Sequence, residues 1–181
     1  MPDRKRRALG QYFTPAAVLD FALEALAWLD EDEAAGAQDR RLIDPACGRG
    51  DTIARALVKG LVQPANAFGL DADPSLERVW QEAGLKSDQG PWLGVGDGLT
   101  AESVCGRPVE EGTFDWVVGN PPYASRFLKD ATPEYLAALW ERFELCRLRF
   151  PGKEFRGDLV RRLPSEIPFI ERFWRLCRPC G

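Results

Sequence analysis

Arg41-Leu42-Ile43-Asp44-Pro45-Ala46-Cys47-Gly48-Arg49-Gly50-Asp51 is a short apolar strand that ends in an acid and runs through a glycine-containing turn. A helical pattern follows over Thr52 to Lys59. Glycines at such a turn let backbone approach a ligand closely, and the helix that follows offers free N–H groups. The segment suits a nucleotide-like cofactor. A pyrophosphate fits less well, because Ile53 stands where the third glycine of the dinucleotide fingerprint would fall. Asp44, immediately before the loop, suits a cofactor that carries positive charge.

Outward from this loop, apolar runs alternate with helical ones. Strands are expected over Arg41–Asp44, Ala67–Asp71, Trp92–Gly96 and Phe114–Gly119. Helices are expected over Thr52–Lys59 and Pro74–Ala83. Alternation at this spacing predicts an α/β fold, a parallel sheet with helices on its faces, and strand order 3-2-1-4. Pro15 to Asp30 reads as an N-terminal helix, with Thr14 as its cap and Pro15 at its first position. Val18, Ala22, Ala25, Leu26 and Leu29 form its expected core stripe. Phe127 to Phe150 is helical in pattern with a break at Pro133, and Val160 to Ser165 reads as an insertion. Glu166 to Cys177 is a last helix with Ile170, Phe173, Trp174 and Cys177 on its apolar side.

The chain has 181 residues and 45% hydrophobic residues, within reach of one globular domain. No apolar run approaches the ~20 residues of a membrane span, and the charged first ten residues show no secretory signal. Five cysteines at irregular spacing favour a reducing, cytoplasmic setting. Cys177-Arg178-Pro179-Cys180 is a lone Cys-x-x-Cys, and with no histidine in the chain no metal site is expected. The missing histidine also excludes a Ser-His-Asp triad. Net charge is −4, unevenly spread: residues 1–140 hold 14 Lys+Arg against 22 Asp+Glu, and residues 141–181 hold 10 against 6. Phosphate contacts would have to come from basic clusters such as Arg4, Lys5, Arg6 and Arg7, or from elsewhere.

Three further strand ends carry chemistry. Asp71 closes the second strand, where an acid accepts hydrogen bonds from ribose hydroxyls, while Asp73 suits a helix cap. Gly96-Asp97-Gly98 ends the third strand, and Asp97 could accept from an exocyclic amine or simply hold a turn. After the fourth strand stands Asn120-Pro121-Pro122-Tyr123. Two prolines stiffen the chain and keep only acceptors. The Asn120 oxygen and the Pro121 carbonyl can take both hydrogens of a planar –NH2 group while Tyr123 stacks on its ring. That arrangement aims the nitrogen lone pair outward.

With these residues the chain resembles the S-adenosylmethionine-dependent DNA adenine-N6 methyltransferases whose cofactor motifs precede the catalytic one. Gly10-Gln11-Tyr12-Phe13-Thr14-Pro15 matches the opening motif of that group. Glutamine-N5 protein methyltransferases share Asn-Pro-Pro-Tyr but generally lack this opening. The resemblance implies a Rossmann-like methyltransferase fold and S-adenosylmethionine as cofactor. It further implies that Tyr12, Thr14 and Pro15 close over the methionine part, with Asp44, Ala46, Gly48 and Gly50 lining its side. Asp71 would hold the ribose, Asp97 with Gly98 the cofactor adenine, and Asn120, Pro121, Pro122 and Tyr123 the target base. It places DNA as substrate, with restriction-modification as a setting.

The resemblance covers residues 10–125 by motif, and Gly157-Asp158-Leu159 with the final helix resembles the stretch before the family's fifth strand. Where the family continues through later strands, this sequence stops at Gly181. The reading is therefore one partial catalytic domain: residues 1–40 covering segment and linker, 41–125 core, 126–181 helical. The fourth strand would lie at an open edge, exposing unpaired backbone groups and apolar side chains, and a second polypeptide would supply missing strands or target recognition. Methylation of RNA or of a protein glutamine amide, and a partial subunit that only binds cofactor, are the alternatives. A dinucleotide dehydrogenase has no use for Asn-Pro-Pro-Tyr.

Overall fold

Leu42–Asp44 (β1) is buried along its whole length, as a central strand covered on both faces must be. In the computed structural model, which describes residues 14–30, 39–122 and 127–179, β1 pairs in parallel with Ala67–Asp71 (β2) and with a later strand, Trp116–Val117. β2 pairs in parallel with Trp92–Val95 (β3). Between β3 and Trp116 lies an antiparallel ribbon, Ser103–Val104 (β4) and Arg107–Pro108 (β5), so Trp116–Val117 is β6. The main sheet runs β3-β2-β1-β6. This is the expected order 3-2-1-4, with the ribbon interpolated before the fourth strand.

Period-two alternation sends neighbouring residues to opposite sides of the sheet. Leu42, Ala67, Leu93 and Trp116 join one apolar cluster. Helices Ala16–Leu29 (α1), Asp51–Val58 (α2) and Leu76–Glu82 (α3) fill it with Leu23, Ile53, Ala56, Leu76 and Trp80. Ile43, Phe68, Leu70, Trp92 and Phe114 join a second cluster with Val104 and Leu176. The β4–β5 ribbon turns at Cys105 and Gly106, φ 50° and 73°. Two successive positive φ values mark a tight hairpin turn, usually signalled by Asn-Gly; Cys-Gly gives no such warning.

The described residues of Phe13–Asn120 and Arg175–Gly181 form one compact unit, and those of Pro121–Trp174 another. The second is helical: Phe127–Asp130 (α4), Pro133–Arg142 (α5), Glu144–Leu148 (α6), Gly157–Val160 (α7) and most of Glu166–Leu176 (α8). Leu136, Leu139, Phe143, Cys146 and Val160 are among its buried apolar residues. Thr132 caps α5 by accepting from the Tyr135 amide, and Pro133 occupies the first turn. Glu171 is buried and caps α6, its two oxygens accepting from the Glu144 and Leu145 amides at 2.9 and 2.6 Å. A carboxylate there meets the positive end of the helix dipole. The expected insertion is partly core, since Val160, Leu163 and Ser165 are buried.

Three expectations need correction. Pro15, not Thr14, is the cap residue of α1; its carbonyl accepts from Val18 and Leu19, and no side chain caps the helix. The core stripe of α1 is Leu19 and Leu23 with Leu26 packed alongside, whereas Val18 is exposed and Leu29 is 63% exposed. On α8, Ile170 and Trp174 are 57% and 77% exposed, and Pro168, Phe169, Glu171, Arg172 and Leu176 are the buried residues. In both helices apolar residues span more than one face, so periodicity alone could not choose among them.

The β6 edge is also less open than the sequence implies. Cys177 forms a parallel bridge with Phe114, whose amide donates to the Leu176 carbonyl while its own carbonyl accepts from Arg178. Arg178 also forms an ion pair with Asp115. Phe114 and Trp116 are buried, contrary to the expected exposure of this strand's apolar side chains.

Candidate functional site

In an open parallel sheet, ligands bind beyond the carboxyl ends of the strands, where the strand order reverses. Here the order reverses between β1 and β6. Ile43 pairs with Val117, so Asp44 and Asn120 both emerge just beyond the paired residues on that side. Asp71 ends β2 at the same side, since Asp44 pairs with Gly69.

Two carboxylates organise the first loop. Asp44 is buried, and its carboxylate accepts the Ala46 amide at 3.0 Å. Burial pushes its pKa up from 3.8 to about 7, against hydrogen bonds from Ala46 and Thr52; the charge of Asp71 adds to the rise. Asp71 accepts the Gly48 amide at 2.9 Å on one oxygen and the Asp73 amide at 2.9 Å on the other. Burial raises its pKa too, with those amides working in the opposite direction. Cys47 sits beside both acids with its thiol pKa raised by burial and then by their charges, so it stays a neutral packing group.

The loop closes through Gly48 and Gly50, φ 52° and 81°. A Cβ on Gly50 would come within 2.9 Å of Leu85 Cδ1 and 3.0 Å of Leu93 Cδ2. Trp80 donates its indole N–H to the Gly48 carbonyl at 2.8 Å. Sequence reading placed Trp80 on a helix but missed this role; a buried tryptophan's need for an acceptor is the available signal. A Cβ on Gly98 would stand 1.7 Å from the Pro45 carbonyl oxygen. Gly98 is thus the point where the β1 and β3 loops touch.

Asp97 holds its own turn, accepting from the Leu99 amide at 3.0 Å and the Thr100 hydroxyl at 2.7 Å. Asp73 accepts from the Ser75 amide and hydroxyl at the start of α3. Asn120 donates from Nδ2 to the Thr14 hydroxyl at 3.0 Å, uniting the opening motif with the fourth-strand motif. In the helical unit, the Pro122 carbonyl accepts from the buried Ser165 hydroxyl at 2.7 Å. Ser165 carried no sequence signal, because the contact spans more than forty positions. Tyr12, Tyr123 and Cys180 lie outside the described residues.

The donor set favours a cation over a phosphate. Two desolvated carboxylates face the loop, and its one cationic side chain, Arg49, is turned to Asp51 at 3.5 Å. Carboxylates stripped of water gain most from a fixed positive charge.

A parallel sheet in this order, with acids ending β1 and β2 and Asn-Pro-Pro-Tyr after β6, defines the Rossmann-like methyltransferase fold. The sequence profile of the N-6 DNA Methylase family matches residues 2–141, and the chain belongs to that family. It is 29% identical over 192 residues to the Type II methyltransferase M.PaeR7I of Pseudomonas aeruginosa, an alignment covering 91% of this chain and 29% of that protein. A Listeria monocytogenes structure described as a class I S-adenosylmethionine-dependent methyltransferase has the same fold. Its TM-score is 0.60 at 21% identity, over 96% of this chain and 45% of that one. The chain spans under half the length of either relative.

Proposed function

We propose that this chain forms the cofactor- and base-binding part of a DNA adenine-N6 methyltransferase that uses S-adenosylmethionine, in a restriction-modification setting. The observation that carries the reading is the adjacency of β1 and β6. It brings the acid-lined loop Asp44–Gly50 and Asn120 to one end of the sheet.

S-adenosylmethionine would supply an electrophilic methyl group: the amine lone pair forms the new N–C bond while the C–S pair stays on sulfur, leaving a neutral thioether. Asp44 would face the charged methionine end, with Ala46, Gly48 and Gly50 giving the close backbone approach. Asp71 would take ribose hydroxyls with the acceptor capacity left by its two amide bonds, since a carboxylate has about four lone-pair sites. Asp97, beside Gly98, would accept from the cofactor's adenine amine while keeping its turn. Asn120 and the Pro121 carbonyl would accept both hydrogens of the target amine, Pro122 would hold the rigid turn, and Tyr123 would stack on the base. Pro15 would begin the cover, and Tyr12 would complete it.

No strong base is required, because the nitrogen becomes acidic as it attacks and gives its extra proton to water. Catalysis would then be positioning, with reacting atoms about 3–3.5 Å apart. Flipping the base from a duplex costs a few kcal/mol. Stacking on Tyr123, about 1–3 kcal/mol, offsets part of it. The acidic balance of residues 1–140 leaves phosphate contact to basic surface such as that of residues 141–181, or to a partner polypeptide.

The test uses labelled S-adenosylmethionine and duplexes with and without adenine. Asn120→Ala in the protein that carries this chain should lower turnover about 100-fold, as for loss of one preorganised polar contact. Cofactor affinity should stay within about 3-fold. Equal labelling of adenine-free duplex would refute the assignment.

A further inference from the structure

We propose that Thr14 is a positioning residue for Asn120: its hydroxyl holds the amide so that Nδ2 faces the opening segment and Oδ1 is presented to the target amine. The inference rests on the reading of Asn120 as the acceptor for that amine, and it gives Thr14 a role apart from the cofactor contact implied by resemblance.

The geometry is specific. Thr14 Oγ1 lies 3.0 Å from Asn120 Nδ2, across 106 positions of sequence. The hydroxyl is available because Pro15 occupies the cap position of α1 and no side chain caps that helix. The anchor is firm. Leu19 and Leu23 of α1 are buried in the core. Asp20 and Glu24 tie the helix to α2 through Arg55 and Lys59 at 2.7 and 2.9 Å. Just past its C-terminus, Asp30 accepts from Arg40 at 2.8 Å and from the indole of Trp116, on β6 itself, at 3.1 Å. Thr14 and Asn120 are therefore held against one another by the helix and strand that bear them.

The chemistry gives the contact its meaning. An amide has a donor end and an acceptor end, and a half-turn about its last torsion exchanges them. With Nδ2 outward, two donor groups would confront each other and the amine would not be held. A hydroxyl can bond either end of an amide, and here it accepts from Nδ2, which leaves Oδ1 outward. Hydrogen bonds in series also polarise one another, so a bond at Nδ2 makes Oδ1 the better acceptor. Valine has the shape of threonine without the acceptor, and serine keeps the acceptor without the methyl.

The experiment compares Thr14→Val and Thr14→Ser in the protein that carries this chain. Thr14→Val should lower the single-turnover methyl-transfer rate about 10-fold at saturating cofactor and DNA, while cofactor Kd stays within about 3-fold. Thr14→Ser should recover most of the rate. Independently of activity, the Asn120 side-chain –NH2 resonances should move in Thr14→Val and return in Thr14→Ser. Unchanged resonances, an unchanged rate, or a cofactor Kd that worsens as much as the rate would each overturn the proposal. If the unmutated protein transfers no methyl group to adenine, the functional reading fails at that step. The resonance comparison still decides whether Thr14 orients Asn120.

Discussion

Asp44 is the residue whose protonation matters most. Its folded pKa of about 7 exceeds the usual 3.8, so between those values the folded chain binds a proton that the unfolded chain does not. Stability contributed by this group is therefore full at low pH and is lost as pH rises through 7, by up to roughly 4 kcal/mol. Asp44→Asn should raise the thermal midpoint at pH 8 while leaving it nearly unchanged at pH 4. The same substitution should weaken S-adenosylmethionine at pH 8, and wild-type affinity should improve as pH rises past 7. Melting curves and calorimetric titration at both pH values check the pair of effects. An affinity that does not respond to pH would separate Asp44 from the cofactor's charge. On the proposed role of Asp71, Asp71→Ala would remove two ribose contacts of ~0.5–1.5 kcal/mol each and should cost roughly 5- to 150-fold in cofactor affinity by titration. It also frees the Gly48 and Asp73 amides, so part of that loss should appear as a lower melting temperature.

Among the elements, α1 contributes more than packing. Asp30 joins its C-terminal end to Arg40 and to Trp116 in part-buried contacts. Asp30→Ala should destabilise the chain by about 1–3 kcal/mol, because the indole N–H and the guanidinium lose an acceptor in a part-buried place. A chemical denaturation midpoint that stays unchanged would contradict this. The sheet was legible in the sequence because each central strand is an apolar run ended by an acid or glycine, and their order followed from alternation with helices. Asp44 and Asp71 at strand ends, and Asn120 three residues past β6, were legible for the same reason. What escaped was set by tertiary contact. The β4–β5 ribbon has two-residue strands and a Cys-Gly turn, too short for any period. The faces of α1 and α8 depended on which apolar side met the sheet or the helical unit. The acceptor for Trp80 and the donor for Pro122 lie 32 and 43 positions away, where local pattern carries no information.

At the scale of the whole chain, the outward residues of α1 matter. Phe21 and Trp28 are 73% and 83% exposed, and Val18 and Leu29 extend the same apolar surface. Contiguous patches of this kind promote association in water. The 181-residue polypeptide purified alone should self-associate by sedimentation at micromolar concentration, and Phe21→Glu with Trp28→Glu should shift it toward monomer. It should also methylate DNA poorly, since phosphate contacts dominate non-specific affinity and most of its length is acidic. A monodisperse monomer with robust site-specific methylation would contradict both expectations. No described helix is long and apolar enough to cross a membrane.

The parallel bridge between Phe114 and Cys177 has a consequence for synthesis. β6 leaves the ribosome well before the residues that flank its outer edge. At ordinary translation rates that interval is about 3–12 s. Throughout it, the strand leading to Asn120 offers free backbone groups to any passing chain or chaperone. Nascent chains halted after residue 150 on a long tether should be cut by protease within residues 110–120, and chains carrying residues 1–181 on the same tether should resist. The strand that bears the proposed catalytic amide would then be the last of the sheet to become safe.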